Sequence, residues 1–229
     1  MRILFLGDIV GRAGRRAVTR LLPGLKAEWE VDCVVANSEN ASGGIGLTAK
    51  NAKQLRSVGI DVLTSGNHIW KHKDVIECMQ ANSWLLRPAN YPPGVPGHGW
   101  GVYEVSNGEL AVVNLLGRIF LEQVDCPFRV VENILSRIQE QTRHILVDFH
   151  AEATSEKKAL LYALTGKVSA VIGTHTHVPT ADAQISPDAT AYISDVGMCG
   201  PYHSIIGMEP GPILERLRTG LPQPFTVGK

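Results

Sequence analysis

The sequence predicts an α/β fold in a single domain that spans residues 1–229. Its apolar residues fall into short, nearly continuous runs that alternate with amphipathic stretches, a pattern typical of buried parallel strands joined by helices. Hydrophobic residues make up 44% of the chain, which is enough for one substantial core. A polar cluster follows each of five apolar runs, and open α/β folds form their binding crevices at the carboxyl ends of strands. We therefore expect one site where these clusters meet.

The apolar runs define the predicted strands, because each is short enough for a strand buried on both faces. These runs are Ile3–Leu6, 33–36, 60–63, 145–149 and 168–172. Between the first three runs, apolar residues recur at helical intervals. We expect one helix from about 15 to 29, kinked at Pro23, and a second over 48–58 that begins at a capping threonine and stops at Gly59. This order of elements predicts right-handed crossovers.

The middle of the chain has a different local pattern. Residues 101–106 and 110–116 flank an Asn-Gly dipeptide, which is favoured in two-residue hairpin turns. An antiparallel hairpin is therefore expected there, followed by a helix near 128–141. A last strand is expected over 189–196, before a loop-rich tail.

Charge and cysteine content limit the classes of function. Lys plus Arg number 22, as do Asp plus Glu, so no net field attracts a long nucleic acid or an anionic membrane. The four cysteines form no CxxC pair, so neither a zinc knuckle nor a disulfide framework is predicted. The N-terminal apolar stretch is too short for a signal peptide, and no window approaches the ~20 apolar residues of a membrane span. A cytoplasmic protein is expected.

Carboxylate and amide side chains follow the first two predicted strands. Asp8 would lie at the edge of the sheet as a metal ligand, although an aspartate there could instead cap the following helix. Glu39 has two carboxylate oxygens and could reach two ions, and Asn40 adds a neutral carbonyl oxygen. The composition around Asn40 is also that of an ordinary turn, so this cluster indicates a metal site only together with the others.

The segment Gly66-Asn67-His68 follows the third predicted strand. The glycine would let the backbone turn sharply, and the amide oxygen of Asn67 could bind a metal. His68 would face whatever the metal holds, and its imidazole titrates near neutrality, so it would suit protonation of a leaving oxygen. A polar surface loop is the alternative interpretation.

Histidines end the last two predicted strands. His175 and His177 are two positions apart, so an extended backbone would place both imidazoles on one face. His150 could be a metal ligand or a buried core histidine. Carboxylate, amide and imidazole ligands that meet at one edge favour a pair of hard or borderline metal ions.

The ordered set of polar clusters resembles the calcineurin-like metallophosphoesterase superfamily. Longer stretches are more specific and resemble its bacterial YmdB-like branch of small cytoplasmic phosphodiesterases, and the similarity extends over nearly the whole chain. These stretches are 64–70, 86–94, 148–157 (DFHAEATSEK), 172–181 (IGTHTHVPTA) and 195–207 (DVGMCGPYHSIIG).

The resemblance implies two mixed β-sheets packed as a sandwich and flanked by helices, in four αββα layers. It also implies two sets of metal ligands that share a bridging carboxylate. The ligands are Asp8, Asn40 and His177 for one metal, Asn67, His150 and His175 for the other, and Glu39 between them. His68 would be the proton donor.

The implied activity is hydrolysis of phosphodiesters, including 2',3'-cyclic or 3',5'-cyclic nucleotides. Two ions would lower the pKa of a shared water, and the resulting hydroxide would attack phosphorus while His68 protonates the departing oxygen. Iron or manganese would suit the mixed nitrogen and oxygen ligands, with magnesium or zinc as alternatives. The expected partner is a small phosphodiester or nucleotide substrate, and a homo-oligomer is left open.

The chain departs from the wider superfamily at three positions. Val10 replaces the histidine of the usual Asp-x-His motif, which makes Asn40 the candidate replacement ligand. The bridging residue is Glu39 rather than an aspartate. Ile69 follows His68 where an acidic residue often orients that histidine, which leaves its orientation open.

Two other functions remain as alternatives. A metal-dependent amidohydrolase also uses a His-x-His pair, but there the pair would come early in a (β/α)₈ barrel of about 250 residues, whereas here it comes late. A regulator without catalytic activity could use the same metal fold to bind nucleotides or a partner protein. Metal content measured beside hydrolysis would separate the regulator from the enzyme.

Overall fold

The computed structural model of the chain describes all residues from 1 to 229. Strands and helices alternate in the first part of the chain. The elements there are β1 (Ile3–Leu6), β2 (Asp8–Ile9), α1 (Gly11–Glu28), β3 (Cys33–Asn37), α2 (Ala49–Ser57), β4 (Val62–Thr64), a 3₁₀ helix (Ile69–Lys71) and α3 (Asp74–Ala81).

The second part of the chain contains most of the strands. Its elements are β5 (Trp100–Val105), β6 (Gly108–Leu116), α4 (Pro127–Ile138), β7 (Ile145–His150), α5 (Thr154–Leu164), β8 (Ala170–Thr174), β9 (Gln184–Ile185), β10 (Ala191–Ile193), β11 (Met198–Cys199) and α6 (Pro210–Thr219). No helix combines the length and the apolar character needed to span a bilayer.

The strands form two main sheets and one short pair. A parallel sheet has the order β1-β3-β4, a six-stranded mixed sheet has the order β5-β6-β7-β8-β10-β9, and β2 pairs with β11. The five apolar runs do not share one sheet, because three runs belong to the first sheet and two to the second. The polar clusters meet nonetheless, because each lies at the carboxyl end of its strand or just beyond it.

The two main sheets pack face to face with helices outside them. A buried cluster joins Val35 and Val62 of the parallel sheet to Val112 and Leu146 of the mixed sheet. Helices α1, α2 and α3 cover the outer face of the parallel sheet, and α4 and α5 cover that of the mixed sheet. The α/β fold class with sheets between helix layers is confirmed, although the smaller sheet is purely parallel rather than mixed.

Helix α1 begins earlier than its apolar spacing predicts, because it includes Gly11 and Gly14, which carry no apolar side chain. Its N-cap residue is Val10, and no side chain caps the helix. Asp8 lies in β2 instead, so the alternative that Asp8 caps this helix is wrong.

The hairpin of β5 and β6 confirms the prediction for the middle of the chain. Val105 pairs with Gly108, so the two-residue loop is Ser106 and Asn107, one position earlier than the Asn-Gly dipeptide itself. Gly108 has a φ of +119°, a conformation that glycine adopts without steric cost. The tail was expected to be rich in loops, but it also contains α6, in which no residue is buried.

Candidate functional site

The predicted ligands converge around the buried carboxylate of Glu39, which follows β3. Its Oε1 lies 3.1 Å from Nε2 of His150 and 3.2 Å from Nδ1 of His68. Oε1 also accepts a hydrogen bond from the amide of Asn40, and Oε2 accepts one from the backbone N–H of His68. Burial opposes ionisation of Glu39, but the imidazoles of His150 and His68 hold its pKa well below the usual range. This carboxylate is therefore ionised at the centre of the site.

On one side of Glu39 lie Asp8 and His177. Nε2 of His177 is 3.1 Å from Oδ2 of Asp8 and 3.1 Å from Nδ2 of Asn40. Nδ1 of His177 donates to the carbonyl oxygen of Ile206 at 2.7 Å, which leaves Nε2 to face the site. Burial opposes protonation of His177, but the Asp8 carboxylate raises its pKa. The Asp8 carboxylate therefore favours the protonated, positively charged form of His177.

Asp8 itself has a buried carboxylate with no hydrogen bond. Both of its oxygens are shielded from solvent and accept no hydrogen bond, and the His177 ring lies 3.1 Å from Oδ2 as an ion-pair contact. A buried carboxylate whose oxygens accept no hydrogen bond is costly inside a protein unless a cation lies against it. Two such oxygens fit the role of a metal ligand.

Asn40 lies beside Asp8 and His177, but its amide nitrogen faces His177 where the predicted ligand role needs the amide oxygen. Nδ2 faces Glu39 and His177, while Oδ1 accepts a hydrogen bond from Nδ1 of His68 at 3.0 Å. A metal would need the oxygen, so the predicted ligand role requires the amide to rotate by half a turn. The position of Asn40 fits the expectation, and the orientation of its amide does not.

On the other side of Glu39 lie His150 and His175, and the third predicted ligand of this metal is Asn67. Nε2 of His150 and Nδ1 of His175 are 3.0 Å apart, and both lie with a Glu39 oxygen inside a sphere suited to one metal ion. Oδ1 of Asn67 is buried without a hydrogen-bond partner. This set of two imidazoles, a carboxylate and an amide oxygen matches the nitrogen and oxygen ligands of a transition metal.

The two imidazoles of this set differ strongly in their ionisation. Burial opposes protonation of His150, but the Glu39 carboxylate raises its pKa to about 9. Burial and the neighbouring His150 lower the pKa of His175 to about 3. His175 therefore keeps a free nitrogen lone pair over the whole physiological range.

Thr174 and Asp148 orient His150 through hydrogen bonds, and sequence reasoning assigned neither of them a role. Nδ1 of His150 donates to the Thr174 hydroxyl at 2.9 Å, and that hydroxyl donates to Asp148 at 2.7 Å. Burial raises the pKa of Asp148 to about 6, because the carboxylate is fully enclosed. The chain of hydrogen bonds fixes the tautomer of His150 and turns its Nε2 toward the site.

The loop that carries His175 and His177 is a tight turn rather than the extended segment expected. Strand β8 ends at Thr174, and φ is +105° at His175 and +65° at His177. Both values lie in the left-handed region, which is uncommon for residues other than glycine. The two imidazoles therefore reach opposite sides of Glu39 through a twisted backbone and not through strand alternation.

Glu152 is a third residue of the site to which sequence reasoning assigned no role. Its Oε2 lies 3.1 Å from Nε2 of His175, and its side chain is 48% exposed. Nε2 of His175 can donate to this carboxylate, which leaves Nδ1 to face His150 and Glu39. The available signal was the position of Glu152 two residues after His150.

Gly66 acts through its small size and not through the sharp turn expected of it. Its φ is not positive. A Cβ atom at this position would overlap the carboxylate of Glu39 and the ring of His150. Glycine is required here because the backbone passes directly against the Glu39 and His150 side chains.

The site opens into a cavity of about 430 Å³, here called the site cavity. Glu39, Asn40, His68, Glu152 and His177 are among its lining residues. The volume lies within the range of about 300–1,000 Å³ typical of small-molecule sites. His68 lines this cavity with a side chain that is 37% exposed. Hydrogen-bond acceptors on Asn40 and Glu39 face its Nδ1, so they replace the acidic neighbour that is missing at position 69.

The chain was compared with protein families and with proteins of known sequence. The family model described as "YmdB-like protein" matches residues 4–229. A protein of Bacillus subtilis (strain 168) named "2',3'-cyclic-nucleotide 2'-phosphodiesterase" is 47% identical over 229 residues, which cover 100% of this chain and 87% of the relative.

Two solved structures share the fold closely. One, described as a hypothetical protein from Thermus thermophilus, has a TM-score of 0.94 and 47% identity, and the match covers 100% of this chain and 89% of that chain. The other, described as a novel phosphatase from Mycoplasma pneumoniae, has a TM-score of 0.93 and 36% identity over 99% of this chain and 83% of that chain.

Proposed function

The chain belongs to the YmdB-like family, and from this membership we propose that it is a dinuclear metal-dependent phosphodiesterase acting on cyclic nucleotides. The relative from Bacillus subtilis is named for 2',3'-cyclic nucleotides, so these are the first candidate substrates, with 3',5'-cyclic nucleotides second. The enzyme class is that of the phosphoric ester hydrolases.

One observation carries the proposal: the ionised Glu39 lies between two groups of ligand atoms, each of which includes a buried oxygen without a partner. Asp8 and His177 lie on one side, with Asn40 beside them, and His150 and His175 lie on the other. We assign the buried Oδ1 of Asn67 to the second group, because Asn67 stands between Gly66 and His68, which both approach Glu39. Buried carboxylate and amide oxygens are normally hydrogen-bonded, so exceptions require an explanation. Two divalent ions bridged by Glu39 would satisfy all of them.

These residues would hold the ions, and the ions would supply charge neutralisation at phosphorus and activation of water when bound. Iron or manganese fits the mixture of imidazole and carboxylate best, with magnesium or zinc as alternatives. Asn40 would present its oxygen after rotation of the amide.

His68 is the proposed general acid. Nδ1 lies 3.2 Å from the Glu39 carboxylate, which fixes the ring and leaves Nε2 for the site cavity, even though the contact of Nδ1 with the Asn40 oxygen would be lost when that amide rotates. A proton on Nε2 would be transferred to the departing alkoxide oxygen, which avoids expulsion of a strongly basic anion. The half-exposed ring can then recover its proton from solvent.

Three further points belong to the proposal. Residues 1–229 form one domain, since the two main sheets share a buried interface. The protein acts in the cytoplasm on a small nucleotide substrate, in line with its balanced charge. A homo-oligomer is compatible with this function, and the site described lies within one chain.

The alternative of an amidohydrolase barrel does not agree with the open sheets, whose strand orders form no closed eight-stranded barrel. An experiment distinguishes the enzyme from a regulator without catalytic activity.

The purified protein is loaded with Mn²⁺, its metal content is measured by mass spectrometry, and hydrolysis of 2',3'-cyclic AMP is followed. Two metal equivalents with turnover support the proposal, and two equivalents with binding but no turnover of any cyclic nucleotide would favour the regulator.

Matched variants test the assignments of residues. Asp8→Ala and His150→Ala should lower both metal content and turnover, while His144→Ala, which removes an exposed histidine outside the site, should change neither. Undiminished turnover in the first two variants would reject the ligand assignment. His68→Ala should lower kcat by about 10²–10⁴-fold with metal content intact. Loss of metal in this variant would instead make His68 a ligand.

A further inference from the structure

The site cavity has two walls of opposite character. The metal-binding residues form one wall, and the other is made of apolar side chains that sequence reasoning did not connect to the site. The apolar wall consists of Ile45, Ile205, Ile206, Met208, Ile213 and Phe225. The apolar wall shares one cavity with the proposed metal ligands, so it is suited to the part of the substrate that carries no charge.

Most of the apolar wall comes from the C-terminal segment, which is tied directly to the metal-binding histidines. Ile205 and Met208 exchange backbone hydrogen bonds and close a tight turn. Within that turn, Ile206 has a φ of +46° and accepts the Nδ1 proton of His177 through its carbonyl oxygen. A β-branched residue is strongly disfavoured in this conformation. The turn therefore holds the 51% exposed side chain of Ile206 at the cavity, beside a proposed metal ligand.

Phe225 is fixed beside the same turn. The backbone of Glu209 donates to Thr226 at 2.8 Å, and Met208 bridges Val227 in antiparallel fashion. The guanidinium of Arg216 lies 5.0 Å from the centre of the Phe225 ring and does not line the cavity. One face of the ring is thus occupied from outside the cavity, and the ring remains 39% exposed.

We propose that Phe225, Ile206 and Met208 form a subsite that binds the nucleobase of the substrate. This inference rests on the proposed phosphodiesterase function, because it assumes that the phosphate lies on the opposite wall. An aromatic ring offers a base a face for stacking, and a thioether and an aliphatic side chain pack against its edges without fixed geometry. The cavity of about 430 Å³ is large enough to hold a base together with its ribose phosphate.

The chemistry of the subsite also defines its selectivity. The apolar wall offers no hydrogen-bond donor and no acceptor stronger than the weak thioether sulfur of Met208, so it discriminates poorly between the edges of different bases. All bases have an aromatic face, and stacking on a phenyl ring tolerates each of them. The subsite therefore selects nucleotides over diesters that lack a base, and it discriminates weakly among nucleotides.

The test compares two substrates that differ only in the base, 2',3'-cyclic AMP and methyl riboside 2',3'-cyclic phosphate, with the Mn²⁺-loaded protein. The ratio of kcat/KM for the first substrate over the second should be roughly 5 to 100, as expected for one stacked base. Phe225→Leu keeps apolar bulk but removes the ring and should bring the ratio close to one. Phe225→Trp should retain it. Leu217→Ala, which removes an exposed apolar side chain that does not line the cavity, is the control and should retain the ratio.

The outcomes separate this inference from the function on which it rests. Hydrolysis of neither substrate by the wild-type chain would refute the phosphodiesterase proposal and with it the subsite. Hydrolysis of both with a ratio near one, or an unchanged ratio in Phe225→Leu, would refute only the subsite. A spread in kcat/KM much larger than about tenfold among the four common 2',3'-cyclic nucleotides would also contradict it, because an apolar wall cannot produce such discrimination.

Discussion

Nζ of Lys157 lies 2.9 Å from Oδ2 of Asp195, and both side chains are almost completely buried. The same carboxylate oxygen accepts the backbone N–H of Thr176 at 3.0 Å, and Oδ1 accepts that of Gly197 at 2.8 Å. Thr176 is the residue between His175 and His177. The ion pair thus anchors the one turn that sends a histidine to each side of Glu39.

Loss of the Lys157 cation should therefore destabilise the protein. Lys157→Met preserves much of the volume but leaves the Asp195 carboxylate buried and unpaired, and we expect the free energy of unfolding to fall by about 3–5 kcal/mol. Chemical denaturation of the metal-free protein measures this change. Lys158→Met is the matched control, because Lys158 pairs with Asp182 at the surface and should cost no more than about 1 kcal/mol. Equal effects of the two substitutions would contradict the anchoring role.

A substitution at Gly66 should damage the metal site without a comparable loss of stability. In Gly66→Ala the new methyl group would collide with Glu39 and His150, so metal content should fall and kcat/KM should drop by at least about 100-fold. The control is Gly24→Ala in α1, where a Cβ meets nothing within 4 Å and should raise the free energy of unfolding by up to ~1 kcal/mol. Normal metal content in Gly66→Ala would show that the side chains can move aside.

The positions of the candidate ligands could be predicted because each of them follows or ends a short apolar run, and such runs have a clear local pattern. The strands β1 and β3 begin where their apolar runs begin, and β7 ends at His150, one residue beyond its run. The division into two sheets could not be predicted. It depends on packing between distant parts of the chain, such as Val35 against Leu146, and no local pattern encodes that contact.

The supporting residues were missed for a related reason. Glu152 and Asp195 have roles only through contacts with His175 and Thr176, which lie far from them in the sequence. Residues other than glycine rarely have a positive φ, but His175 and His177 both do. Their spacing in the sequence predicted an extended segment, because nothing in it indicates these backbone angles. The sequence indicates which groups could bind metal, whereas the network that orients them requires the fold.

Glu152 should tune metal binding through His175. Because its carboxylate lies 3.1 Å from Nε2 of His175, it can hold the ring in place, and Glu152→Ala should weaken Mn²⁺ binding by about 10–100-fold in calorimetric titrations. Glu152→Gln retains an acceptor oxygen and should recover part of the loss. Glu140→Ala, which removes an exposed glutamate beyond the end of α4, serves as the control. Wild-type affinity in Glu152→Ala would leave the contact without a role in metal binding.

Asp182 should make stability depend on pH in the acid range. Burial opposes its ionisation, but hydrogen bonds from Ser194 and Thr180 and the ammonium of Lys158 hold its pKa well below the usual value. A carboxylate with a depressed pKa in the folded state stabilises the protein fully above the pKa of the unfolded chain, which is about 3.9, and loses this contribution as the pH falls toward the folded value. Asp182→Asn removes the charge, so the difference in free energy of unfolding between the wild type and the variant should be constant from about pH 7 to pH 5 and shrink below about pH 4. Urea denaturation across this range measures the difference. If the difference in free energy of unfolding stays constant down to about pH 3, the hydrogen bonds to Asp182 do not favour its ionised form.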